Sequence, residues 1–599
     1  MAWYDEAVFY HIYPLGLAGA PKQNDYGEPV HRLNTLLPWV DHIKEIGGSA
    51  LYIGPLFESV GHGYETTDYK KLDSRLGTNE DLTAFVAYCH EQGIKVIFDG
   101  VFNHTGRDFF AFKDIQVNRE NSQYKDWYCN VNFWGNNEYN DGFSYDNWGG
   151  YNLLVKLNQK NPAVVDYICD VIRFWVSEFD VDGIRLDAAD VLDFDFMKAL
   201  RRTANEVKPD FWLMGEVIHG DYSRWVNGET LHSVTNYTLH KALYSGHNDH
   251  NYFEIAHTVR RLQNMGTLKL YNFVDNHDVE RIYTKLTNKA HFAPVHVLLY
   301  TLPGVPSIYY GSEFGIEGRK EYGSDDSLRP ALNIEDYKDS VKTNPCTALI
   351  AALGKVRQAV PALSYGSYDE LMLTNRQFAY ARDLDGTRVI VSVNNDDAPA
   401  GMHLAAGNCT AYIGALSGEK VSVQDGHINI TQPANSGEIW VPDGTDLDVK
   451  PVKVVTKTES EAKTNTEDKA ASETATDAKG NKGAEPKIES KESKDIVTAT
   501  ESADAKKNTT NTEKNISAAN EVKDSAKDAS AQAAADTPVD PETITVDWSK
   551  SPESMTVPEL QAAILAKLAG NGPVDAQMKK TVTDNIWHDS LVNWLKSFR

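Results

Sequence analysis

From Val8 to about Pro361 one pattern repeats: a short β-branched, apolar run, then a longer stretch with helical spacing. The strand-like runs are Val8–Tyr13, Ala50–Gly54, Val96–Val101, Val181–Leu186, Phe211–Gly215, Ser233–Tyr237, Leu270–Val274 and Ser307–Tyr310. Helical stretches lie between and after them at Leu33–Ile46, Asn79–Gln92, Pro162–Phe179, Phe194–Val207, Phe253–Met265, Ala290–Leu302 and Thr347–Val360. Only the fifth connection, around Asp221–Val226, is too short for a full helix. Strands that alternate with helices must run parallel, because each helix carries the chain back to the start of the next strand. Eight strands alternating with about seven helices predict an α/β fold, a closed parallel (β/α)8 TIM barrel.

The remaining chain divides around that barrel. Residues 105–161, rich in Trp, Tyr, Asn, Asp and Gly, are too long for a barrel loop and form an insertion after the third strand. The barrel is thus split into residues 1–104 and 162–361. Residues 362–446 alternate in period two between Asp-Gly and Asn-Asp turns, which predicts an antiparallel β-sandwich. Residues 447–548 are Lys, Glu, Asp, Thr, Ser and Ala, almost without aromatics. Such a stretch buries too little apolar surface to offset chain entropy and reads as a disordered linker. Residues 549–599 regain helical character. Thr556-Val557-Pro558-Glu559 resembles a capping box, Leu560, Ile564 and Leu568 follow at helical spacing, and Trp587, Leu591, Trp594 and Phe598 mark a second helix. A helical hairpin this small is expected to dock on the body of the protein, on another copy or on a different protein.

Charge narrows the partners. A formal net charge of −26 argues against nucleic acid or an anionic membrane, and no apolar run is long enough to span a bilayer. Five widely spaced cysteines without CxxC pairing suit a reducing compartment, and the first residues carry no basic or apolar leader, so a cytoplasmic location is expected.

The chemistry gathers at strand ends. Val181-Asp182-Gly183-Ile184-Arg185-Leu186-Asp187 closes on a carboxylate, and period-two alternation sets Arg185 and Asp187 on one face. A cation there is expected to keep Asp187 ionised, as a nucleophile at a sugar carbon must be. Asp99-Gly100-Val101-Phe102-Asn103-His104 ends the third strand, Gly215-Glu216-Val217 the fifth and Val274-Asp275-Asn276-His277-Asp278 the seventh; His62-Gly63-Tyr64-Glu65 follows the second. Each alone has a bland reading as a capped turn or a satisfied core residue. Together they converge on the C-terminal face of one barrel.

In order, DGVFNH, GIRLDAAD, GEV and FVDNHD resemble the four signature regions of glycoside hydrolase family thirteen, the α-amylase family. Leu154-Val155-Lys156-Leu157-Asn158 resembles its fifth region, in the form of the neopullulanase, cyclomaltodextrinase and maltogenic amylase branch. The resemblance covers roughly residues 3–442 and implies the site. Asp187 would be the nucleophile, Glu216 the general acid and then base, and Asp278 the third carboxylate, which grips and distorts the sugar. Tyr64, His104, Arg185 and His277 would bind substrate, with Asp99 and Asn103 in support. It implies a retaining hydrolase of α-1,4-glucosidic bonds in maltooligosaccharides, cyclodextrins or starch-derived dextrins. The alternatives are an α-glucanotransferase or α-glucosidase on the same scaffold and, behind these, a non-catalytic sugar-binding protein.

The chain also departs from the family. Ala188-Ala189-Asp190-Val191 lacks the residues that usually follow the nucleophile, which leaves the acceptor side and the balance of hydrolysis against transfer open. The β domain that usually precedes the barrel in that branch is missing from the sequence. No metal or cofactor is expected: Asn103 could bind calcium, but Val191 stands where calcium-dependent relatives have a histidine. Trp127, Trp134, Trp148 and Tyr151 in the insertion are candidate sugar platforms or packing residues.

Overall fold

The computed structural model describes residues 2–447 except 267, 322 and 323, then 449 and 451, and in the C-terminal part 546, 548, 550–552, 555–569, 579, 582 and 595. The barrel strands are β1 Phe9–Ile12, β2 Ala50–Ile53, β3 Lys95–Gly100, β4 Gly183–Leu186, β5 Trp212–Gly215, β6 Ser233–Val234, β7 Tyr271–Asn272 and β8 Val305–Tyr309. They form one sheet in the order β6-β5-β4-β3-β2-β1-β8-β7, all pairs parallel. A single bridge, Thr235 to Tyr271, joins its two edges and closes the cylinder.

The outer layer is α1 Leu37–Glu45, α2 Asn79–Glu91, α3 Pro162–Phe179, α4 Phe194–Val207, α5 Tyr237–Asn248, α6 Tyr252–Asn264, α7 Phe292–Thr301 and α8 Pro345–Ala359. Local signals start them where the sequence places them. Thr78 caps α2 in a reciprocal box with Asp81. Asn161 accepts from the Ala163 N–H at 2.9 Å ahead of Pro162, which suits the first turn of α3. The fifth connection is a single 3-10 turn, Tyr222–Arg224, as its length implied. One expectation fails: the sixth strand stops at Val234, and α5 begins at Tyr237. The Asn236 side chain accepts from the Leu239 N–H at 3.1 Å, and this cap turns the chain into a helix absent from the sequence reading.

Alternation along the strands separates two cores. Phe211 and Leu213 face the helices, whereas Trp212 and Met214 point into the barrel with Phe9, Tyr52, Ile97, Tyr271 and Phe273. Trp212 stacks on Phe9 with ring centroids 4.9 Å apart and plugs the lumen. Gly183 makes room for it: a Cβ there would lie 2.5 Å from the Trp212 carbonyl oxygen. The lumen is therefore packed below, and polar groups gather at its C-terminal mouth.

The insertion carries a helix, Phe110–Asn118, and a three-stranded sheet of His104–Thr105, Tyr151–Lys156 and Asn147–Trp148. After the barrel, β9 Ser367–Leu373, β10 Gln377–Leu384, β11 Thr387–Asn394, β12 Ala400–Ala405, β13 Ala411–Gly414, β14 Lys420–Ser422, β15 His427–Gln432 and β16 Ser436–Pro442 make a six-stranded sheet, β9-β10-β11-β16-β13-β14, and a β12-β15 pair. Ala379, Ile390, Met402, Leu404, Ile428 and Trp440 form one buried cluster from both sheets, as in a sandwich.

A separate C-terminal unit contains the helix Val557–Ala569, capped by Thr556, whose N–H donates to Glu559 Oε2 at 2.7 Å. Leu560, Ile564 and Leu565 bury its apolar face with Met555 and Val582. The expected linker lies almost wholly outside the described residues, as do Trp587, Leu591, Trp594 and Phe598 of the expected second helix. Among the described residues no helix is long and apolar enough to cross a membrane.

Candidate active site

Strand register builds the mouth of the barrel. Arg185 stands opposite Asp99 on β3 and Met214 on β5, so one guanidinium reaches carboxylates from three neighbouring strands. Its Nη1 donates to Asp99 Oδ1 at 2.8 Å and to Asp187 Oδ1 at 3.0 Å, and its Nη2 lies 2.8 Å from Glu216 Oε2. Asp187 directly follows β4 and Glu216 directly follows β5. Between them Ala188 adopts a left-handed backbone, φ 46° and ψ 44°, and its N–H donates to Glu216 Oε2 at 3.1 Å. A non-glycine residue in that region is locally strained, by about 1 kcal/mol. The strain sets an N–H against the carboxylate.

The third carboxylate comes from the loop after β7. Arg329 Nη2 lies 2.9 Å from Asp278 Oδ1, and His277 Nε2 lies 3.1 Å from Oδ2. Tyr64 completes the ring of contacts: its hydroxyl donates to Asp99 Oδ2 at 3.2 Å and meets His277 Nε2, and its ring lies 9° from parallel to the His277 imidazole. Asp99 also accepts from the Tyr52 hydroxyl at 2.8 Å, which makes it the hub that aligns Arg185 and Tyr64.

His104, expected among the substrate-binding residues, donates its Nε2–H to the Tyr64 carbonyl at 3.1 Å and so anchors the Tyr64 loop. Its neighbour Asn103 donates to His104 Nδ1 at 3.2 Å, and Asn103 Oδ1 is buried without a protein partner. Among the described residues no group of three or more His, Cys, Asp or Glu is assembled to hold a metal, around Asn103 or elsewhere.

Burial governs the titration. It pushes Asp187 well above the usual carboxylate range, with Arg185 pulling down and Glu216, Asp99 and Asp278 pushing up. Arg185 does pull Asp187 toward the ionised form, as the sequence implies, but burial, and after it the charges of Glu216, Asp99 and Asp278, push the other way. Burial likewise raises Glu216, against Arg185. Asp278 behaves oppositely. Burial raises it, but the charges of His277 and Arg329, with Arg185 and Lys320, outweigh that and hold it well below the usual range. His277 is itself pushed down by burial to about 3, so near neutrality the charge holding Asp278 is chiefly that of Arg329.

Arg329, Tyr237 and Tyr52 were assigned no site role by sequence reasoning. The Tyr237 hydroxyl, at the first residue of α5, donates to Glu216 Oε1 at 3.3 Å. Arg329 sits in a loop without periodic pattern, and only the fold brings it to Asp278. Val191 and Ile218, each 38% exposed, follow Asp187 and Glu216 closely along the chain, and the two loops are joined by the Asp190 N–H donating to the Glu216 carbonyl at 3.3 Å. In the insertion, Trp127 packs against Phe110, Tyr124 and Tyr167. Trp134 is 99% and Tyr151 57% exposed, and Trp148 is half-buried.

Comparison with known proteins agrees with this architecture. Residues 32–350 match the family model described as the alpha amylase catalytic domain. A cyclomaltodextrinase from a Bacillus species is 31% identical over 422 residues, covering 66% of this chain and 74% of that enzyme. Another cyclomaltodextrinase, from Thermoanaerobacter pseudethanolicus, is 32% identical over 419 residues, covering 66% and 71%. The solved structure of a cyclomaltodextrinase superposes with a TM-score of 0.66 at 26% identity, over 73% of this chain and 78% of that one.

Proposed function

Because the chain belongs to the α-amylase family of glycoside hydrolases, we propose that it cleaves α-1,4-glucosidic bonds with retention, acting on maltooligosaccharides, cyclodextrins or starch-derived dextrins. One observation carries the mechanism: Asp187 and Glu216 contact the same guanidinium at the mouth of the barrel. A retaining pair must sit close, at about 5–5.5 Å, with no space for a water between nucleophile and sugar. Asp187 attacks the anomeric carbon while Glu216 protonates the departing glycosidic oxygen, leaving a glycosyl ester on Asp187. Glu216, now ionised, takes a proton from water, whose oxygen displaces Asp187 and releases the sugar with its original anomeric configuration. Since both carboxyls are lifted by burial and share Arg185, they titrate as a unit, and the singly protonated form reacts. Asp278, kept ionised by Arg329, accepts from hydroxyls of the same sugar, and Tyr64 lies against its apolar face.

Time-resolved product analysis with maltoheptaose, β-cyclodextrin, pullulan and starch tests this. Rapid cleavage of maltoheptaose and cyclodextrin by the native chain, lost in Asp187→Asn, is expected. Products longer than the starting sugar would make the chain a transferase, release of glucose alone an α-glucosidase, and no products from any of the four a sugar-binding protein.

A further inference from the structure

Beneath the carboxylates two histidines meet. His11 on β1 and His277 stand edge to face, ring centroids 5.1 Å apart and planes 88° to one another. They are 3% and 2% exposed and line one cavity of about 10 Å³ with Tyr52, Arg185, Tyr237 and Asn276. That volume suits one water molecule. His11 Nε2 and His277 Nδ1 are both buried without a protein partner.

The other nitrogen of His277 is committed. Tyr64 donates its hydroxyl proton to Asp99, so it accepts from His277 Nε2, as Asp278 Oδ2 does. Nε2 therefore carries the proton. Burial keeps the ring neutral, which leaves Nδ1 as a bare acceptor. A buried acceptor without a donor costs about 1–3 kcal/mol. The His11 ring is well placed to provide one, since it is clamped between Tyr52, stacked at 4.1 Å, and Tyr309 at 4.9 Å.

We propose that His11 is a positioning residue for His277: through one water seated in the shared cavity, His11 Nε2–H satisfies His277 Nδ1 and fixes the tautomer and ring angle with which His277 faces the sugar beside Asp278. The water accepts from His11 and donates to His277. This rests on the reading of Asp278 as a sugar-gripping group, but the contact itself is testable without activity.

The test combines kinetics on maltoheptaose with nitrogen NMR of ¹⁵N-histidine-labelled full chain. His11→Phe removes the donor and is expected to lower kcat about tenfold with little change in KM, and to change the tautomer or protonation of His277 at neutral pH. His11→Gln, whose amide still donates, is expected to restore kcat to within about threefold of native by the same energetic scale. Equal losses in both variants with an unchanged His277 spectrum would reduce His11 to a packing residue and overturn the proposal. So would native kcat in His11→Phe. If His11→Phe does not fold, the native spectrum decides: His277 as the neutral Nε2–H tautomer supports the contact, and Nδ1–H or imidazolium at neutral pH overturns it. An inactive native chain would defeat the hydrolase reading while the spectrum still tests the contact.

Discussion

Arg329 reaches Asp278 from the loop after β8, Nη2 to Oδ1 at 2.9 Å, while its Nε donates to the carbonyl of His277 at 3.0 Å. One side chain thus fixes both the charge of the third carboxylate and the backbone that presents it. Arg329→Ala removes charge-assisted bonds of about 1.5–3 kcal/mol and is expected to lower kcat/KM on maltoheptaose about 10- to 100-fold. Arg329→Lys should recover only part of this, because an ammonium cannot span both acceptors as a planar fork does.

The Asp187–Glu216 pair should give a bell-shaped dependence of kcat/KM on pH, with both limbs above those of free carboxylates, because burial raises both groups. The acid limb marks protonation of the second carboxylate and loss of the nucleophile. The alkaline limb marks loss of the proton from the acid. Asp99 pushes both groups up by its own charge. In Asp99→Asn, activity will fall because Arg185 and Tyr64 lose their hub, and both limbs of the residual profile are expected to move to lower pH. Limbs that stay put or rise would mean that Asp99 does not act through charge.

At the opposite end of the barrel, Asp182 is 1% exposed and accepts from His90 Nε2 at 2.7 Å, Lys95 Nζ at 2.9 Å and the Val96 N–H at 3.0 Å, with Lys208 Nζ also 2.9 Å away. Burial raises this carboxylate, but those donors outweigh it and hold Asp182 well below the usual range. A depressed folded-state value gives stability that is fully present above about pH 4, the unfolded value, and is lost as pH falls toward the folded one. Asp182→Asn is expected to cost about 2–3 kcal/mol at pH 7, because Lys95 and Lys208 can turn to solvent. It should also flatten the acid side of the stability curve, which denaturant melts between pH 3 and 7 will measure.

Beyond the sandwich, Leu447 and Val449 still pack against the main core. Truncation after Pro451 is expected to leave kcat/KM on maltoheptaose and the thermal midpoint of the body unchanged. Truncation after Pro442 exposes the apolar surface these two cover and should lower that midpoint by a few degrees, about 1 kcal/mol in stability. Thermal melts and kinetics of the two truncated chains decide it.

Much of this was legible in the chain. β-branched runs of fixed polarity mark strands buried on both faces, and Pro162 suits the first turn of α3, because those signals act locally. The helix at Tyr237 was hidden because Ser233–Tyr237 also fits a strand, and only the Asn236 cap turns it. The candidate carboxylates stand at strand ends, where order along the chain reveals them. Arg329 and His11 were invisible as site residues because nothing near them in sequence says what they face. The upward push on Asp187 was equally hidden: the spacing of Arg185 and Asp187 is local, but its burial and the nearness of Asp99 and Glu216 are made by strand register.

The closure of the barrel gives the mouth two unlike sides. β3 and β4 are joined over four residue pairs, whereas β6 meets β7 through one bridge. The cylinder is a ring with a single clasp, and the clasp stands between the strand leading to Tyr237, which holds Glu216, and the strand leading to Asp278. The nucleophile and its arginine ride on the closely paired side of that ring, and the tyrosine of the proton donor and the third carboxylate stand on either side of its clasp.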